Sequence, residues 1–117
     1  MSEFVRTIAI ESLADRKPVR VMVGETAVAV VSIDGDIFAI GDRCSHADVS
    51  LAEGDVDGCA LECWLHGSAF DLRTGAPLTL PAIVPVPVFA TRIAEHEGIA
   101  YLDINPTPLE IAKDITS

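Results

Sequence analysis

Basic residues are scarce in this chain. Its 117 residues hold eight Lys and Arg against 18 Asp and Glu, for a formal net charge of −10. An acidic chain of this kind repels nucleic acid and anionic membrane surfaces, so neither is an expected partner. Cysteine is limited to Cys44, Cys59 and Cys63. An odd count with no leader pattern argues against a disulfide framework and leaves metal or cluster ligation as the natural use. No apolar run approaches the roughly 18–20 residues that span a bilayer. Met1 to Arg6 shows no basic region followed by an apolar stretch, so the expected location is the cytoplasm. No glycine-rich nicotinamide or flavin fingerprint is present, which excludes hydride chemistry by this chain on its own.

What is present is apolar and β-branched. Half of the residues are hydrophobic, enough for one packed core in a chain of this length. They fall in short runs between turn signals, at Val5–Ile10, Val19–Val23, Ala27–Ile33, Ile37–Ile40, Ala60–Cys63, Ala69–Leu72, Pro87–Ala94 and Ile99–Ile104. Gly24-Glu25, Asp34-Gly35, Thr74-Gly75 and His96-Glu97-Gly98 supply the turns, and Asp34-Gly35 is a strong two-residue hairpin signal. Regular spacing of short strands predicts an all-β sandwich or barrel. One helical turn is expected near Ser12–Asp15. Residues 1–105 read as the domain, and residues 106–117, with Pro106, Pro108 and one short helical piece, as a C-terminal tail.

The charge is uneven along this frame. Residues 1–33 balance, residues 34–71 carry nine acids against Arg43 alone, and residues 72–117 carry five acids against three bases. Acids keep any small domain soluble, but this concentration in the middle third suggests a docking role.

That same third contains Cys44-Ser45-His46 and, after sixteen intervening residues, Cys63-Trp64-Leu65-His66. Each pair lies beyond a strand end and offers one thiolate and one imidazole. Zinc also accepts two Cys and two His, but zinc modules pair Cys with Cys and His with His. The interleaved order disfavours zinc and suits a centre with two Cys on one iron and two His on the other.

The chain resembles the Rieske [2Fe–2S] family at these residues. Cys44-Ser45-His46 matches the first family box, and Cys63-Trp64-Leu65-His66-Gly67-Ser68 matches the second, over a domain of about residues 3–104. The resemblance implies a fold of stacked antiparallel sheets with two cluster-binding loops at one tip. It also implies one [2Fe–2S] cluster per chain, with Cys44, His46, Cys63 and His66 as its iron ligands. Respiratory members carry an additional Cys in each box, joined as a disulfide, and Val49 and Leu65 stand at those positions here. Their Ser and Tyr donors to sulfur correspond to Ser68 and to Phe70, which has no hydroxyl. One missing donor and the surrounding acids lead us to expect a low potential for a Rieske centre. Gly67 permits a close chain approach to the cluster or is a simple turn glycine, and Trp64, Leu65 and Val49 shield the cluster; by the likeness Pro81-Ala82 belongs to a third covering loop, with an ordinary proline-rich connection as the alternative. Trp64 has docking as its alternative role. Cys59 is expected to be a buried small hydrophobe and His96 a solvated turn residue.

Within that family the sequence looks like the small ferredoxins of bacterial aromatic-ring-hydroxylating dioxygenase systems. They imply a non-catalytic, soluble one-electron carrier between a ferredoxin reductase and a terminal non-haem iron oxygenase, each with a basic docking surface. A catalytic oxygenase is excluded by counting. Its mononuclear site needs two His and a carboxylate, and only His96 is left once the two boxes are filled. An accessory Rieske protein, tied to cluster assembly or redox sensing, is the alternative that the residues leave open.

Overall fold

The computed structural model describes residues 4–43, 49–64, 68–78 and 85–109. Within them run nine strands: β1 Val5–Ala9, β2 Val19–Val23, β3 Thr26–Ile33, β4 Asp36–Gly41, β5 Asp55–Asp57, β6 Ala60–Glu62, β7 Ala69–Asp71, β8 Phe89–His96 and β9 Ile99–Pro108. They form three antiparallel sheets, ordered β1-β9-β8, β2-β3-β4 and β5-β6-β7. Among the described residues no helix is long and apolar enough to cross a membrane.

The middle sheet explains the unbroken apolar run of β3. Val28, Ala29, Val30 and Val31 are all buried. Alternate side chains leave opposite faces of a strand, and here both faces are covered. Ala29, Val31 and Ile40 join a core with Leu51, Leu61, Cys63, Phe70, Leu72, Val86 and Val88. Val28, Val30 and Ala39 join a second core with Val23, Phe89, Leu102 and Ile104. The β2-β3-β4 sheet is therefore the central layer, with a base sheet of long strands on one side and a small tip sheet on the other.

Most strand expectations are met within a residue or two, and Asp34 and Gly35, both at positive φ, form the β3–β4 turn. Four differences stand out. The single turn lies at Ile10–Ser12, earlier than expected. Strand β5 was not expected, because Asp55-Val56-Asp57 has one apolar residue and earns its pairing from β6. Strand β9 runs through Pro108, opposite Phe89, and Leu109 N–H donates to Val88 C=O at 2.7 Å. Pro106 and Pro108 are thus strand residues and not part of a tail, because Pro is tolerated on a ladder where no N–H is needed. The expected helical piece at Leu109–Lys113 lies outside the described residues after Leu109. Finally, His96 ends β8, half-exposed, with Nε2 3.2 Å from Glu97 Oε2.

Candidate metal centre

Of the four expected ligands, Cys63 falls among the described residues. Cys44, His46 and His66 lie outside them, as do Leu65, Gly67 and Pro81. The strands and turns that flank these segments are described.

Cys63 follows β6 directly and is 1% exposed, in the core shared with Leu61, Phe70 and Leu72. Its N–H donates to Ser68 C=O at 2.7 Å, which joins the end of β6 to the start of β7. Ser68 and Phe70 are fully buried on the return side. Trp64 is 51% exposed, so its ring faces water at least as much as it shields anything. Of its two expected roles, docking fits this exposure better.

The first box leaves the end of β4. Gly41 N–H donates to Pro87 C=O at 2.8 Å, and Asp42 N–H to Ala27 C=O at 3.1 Å, so the chain enters the loop from a fixed point. It returns through Val49, Ser50 and a single 3₁₀ turn at Leu51–Glu53. Leu51 is buried in the core that holds Cys63, and Val49 and Ala52 pack against it. The two boxes therefore spring from the two sides of one apolar cluster.

Gly54 locks them together. A Cβ placed there would come within 1.7 Å of Glu62 C=O, the residue just before Cys63. Only the absence of a side chain lets the return of the first loop lie on the start of the second.

The third segment is tied down at both ends. Leu78 N–H donates to Ala69 C=O at 2.7 Å, and Val86 N–H to Gly75 C=O at 2.9 Å. Residues 79–84, with Pro81, lie between these anchors and outside the described residues.

Sequence reasoning overlooked Asp42, Ser50, Arg20 and Gly54. Asp42 is 3% exposed. It accepts from Ser50 Oγ at 2.6 Å and Ala52 N–H at 2.9 Å, and it pairs with Arg20 Nε at 3.2 Å. The available signal was its place: a carboxylate directly after the buried strand β4 and two residues before a ligand-type cysteine. Cys59 is half-buried against the core, more exposed than expected.

These features fit a two-loop cluster site. A thiol sits buried at a loop mouth, the two box-bearing loops are pinned at their bases, and one soft and one imidazole donor per loop divide as a Rieske centre requires. Among the described residues alone no group of three His, Cys, Asp or Glu is assembled for a metal ion, as expected with three of the four donors elsewhere.

Known proteins agree with this geometry. The family described as "Rieske [2Fe-2S] domain" matches residues 3–90. The anthranilate 1,2-dioxygenase ferredoxin subunit of Burkholderia cepacia is 38% identical over 89 residues, covering 76% of this chain and 82% of that protein. The structure of the ferredoxin of carbazole 1,9a-dioxygenase from Nocardioides aromaticivorans superposes with a TM-score of 0.78 at 30% identity, over 91% of this chain and all of that one. A complex of reduced oxygenase and oxidised ferredoxin in carbazole 1,9a-dioxygenase contains a chain that matches with a TM-score of 0.73 at 34% identity, over 84% and 99%. This chain belongs to the Rieske [2Fe–2S] family, among its small ferredoxins, and its cofactor is a Rieske-type cluster.

Proposed function

We propose that Cys44, His46, Cys63 and His66 hold the cluster, and that the protein carries single electrons from a ferredoxin reductase to a terminal non-haem iron oxygenase. The observation that carries the ligand assignment is Cys63: buried, directly after β6 with its N–H bonded to Ser68 C=O, in one core with the residues flanking the first box. When bound, the cluster supplies a reversible one-electron couple. The protein's own part is to exclude water and hold the ligands still. Cys63, Ser68 and Phe70 do this from the β6–β7 side, and Val49, Leu51 and the anchored Asp42 from the other. A cage pinned at its bases has little to rearrange when charge changes.

Partner recognition is supported by charge and by exposed apolar side chains. Glu53, Asp55 and Asp57 are exposed beside the candidate centre, and Asp55 stands directly opposite Glu62 in the β5–β6 ladder. Like charges at facing positions weaken a strand pair. Asp55 and Asp57 stand on the edge strand β5, where acidic side chains guard against edge-to-edge association and suit a basic docking surface. Trp64 and Leu78, 51% and 54% exposed, offer apolar contact at the same end. Transient encounters of this kind use a small, electrostatically steered interface. The proposed carrier works in the cytoplasm.

The test is reconstitution. Purified, reduced protein added to a ring-hydroxylating dioxygenase and its reductase is expected to restore product formation, with a rate that declines as ionic strength rises. Failure to exchange electrons with any such oxygenase, together with capture of cluster-assembly factors alone, would favour the accessory role.

A further inference from the structure

We propose that Asp42 is the positioning residue of the first ligand loop, a proposal that rests on Cys44 and His46 being ligands. Its surroundings differ from those of a carboxylate that only supports a sheet. Its main chain faces two ways: the N–H donates to Ala27 C=O on β3, and the C=O accepts from Leu51 N–H across the loop. Both carboxylate oxygens are also engaged on the far side of that loop. Oδ1 accepts from Ala52 N–H and Oδ2 from Ser50 Oγ–H. One residue thus ties the outgoing chain, just before Cys44, to three consecutive residues of the returning chain. A backbone bridge between Arg43 and Ser50 adds to these ties between the two flanking stretches.

Charge compensation arrives along the sheet. Arg20, Ala29 and Ile40 are in register across β2, β3 and β4, so Arg20 lies on the face that looks toward the candidate centre. Its Nε reaches Asp42 Oδ2 at 3.2 Å, and its side chain is 57% exposed while that of Asp42 is 4% exposed. A buried carboxylate is tolerated when it is hydrogen-bonded and paired, and here two of its three partners, Ser50 and Ala52, belong to the returning chain. Beside an acidic tip, a retained buried carboxylate is otherwise unfavourable. Its hydrogen-bonding role accounts for its presence.

The experiment compares holoprotein of the wild type, D42N, S50A and D42A. Three quantities are read: the rate of iron release to a ferrous chelator, the EPR g-values of the reduced form, and thermal unfolding by far-ultraviolet circular dichroism. S50A keeps the charge and removes one bond, whereas D42N removes the charge and keeps the shape. Both are expected to unfold near the wild-type temperature but to release iron about tenfold faster, the scale on which partners behind metal ligands act. Both are also expected to show displaced or broadened g-values. The g-value change shared by S50A marks position and not charge. D42A is expected to release iron faster still, and if it does not fold, D42N and S50A decide. Wild-type release rates and g-values in both D42N and S50A would overturn the proposal. Wild-type protein whose reduced cluster shows no histidine nitrogen would instead overturn the ligand assignment beneath it.

Discussion

The base and the tip of this molecule are held together by different means. At the base, β8 and β9 are eight and ten residues long and share a long antiparallel ladder, shifted in register once between Phe89 and Thr91, over a core of Phe89, Leu102 and Ile104. At the tip, β5, β6 and β7 have three residues each. Strands so short form a marginal sheet on their own. The tip depends instead on its share of the upper core, on the contact at Gly54, on loop-closing bonds from Asp42 and Cys63, and on the cluster. The base is therefore expected to persist without a cofactor, and the tip to be completed by one.

The largest break in this comparison should come from Cys63→Ala. It is expected to abolish the visible absorption of the cluster and amide protection in residues 55–71, while β8 and β9 remain protected in hydrogen exchange. Uniform loss of protection would erase the distinction between the ends. Leu102→Ala should act in the opposite sense. Removing a fully buried base side chain is expected to cost about 3 kcal/mol in denaturant unfolding with an unchanged reduction potential. Gly54→Ala is expected to cost about 2 kcal/mol by overpacking, and, unlike Leu102→Ala, to hasten iron release. Phe70→Tyr is a finer probe: a hydroxyl on this buried ring is expected to raise the potential in a redox titration, as a donor toward cluster sulfur would. The smallest effect is expected for Trp64→Ala, which should slow electron transfer to an oxygenase in stopped-flow measurements and leave the potential and the unfolding temperature unchanged.

Much of the base could be read from sequence. β-Branched runs separated by Asp34-Gly35 and Glu97-Gly98 specify hairpins locally, and β3 announced its double burial by having no polar alternation. The Cys and His boxes stood out as clearly as candidate ligands, since Cys and His in alternating order have few other uses, and they remain a proposal. What escaped was set by contacts distant in sequence. Asp55–Asp57 becomes a strand only because β6 lies beside it. Gly54 looks like any loop glycine until Glu62 is brought against it. Asp42 looks like one more surface acid in an acidic stretch until Arg20, 22 residues earlier, and Ser50 close around it. Pro106 and Pro108 signal a break to a reader of sequence, yet β9 admits both at its far end.

The ligand set and the carrier reading meet in one spectroscopic experiment. Protein labelled with ¹⁵N-histidine should be reduced by one electron per chain and examined by electron–nuclear double resonance. Two imidazole nitrogens coupled to the reduced cluster are expected, and both should be lost together in H46A and H66A protein. A cluster with no coupled histidine nitrogen, or a colourless protein holding zinc in its place, would contradict the account.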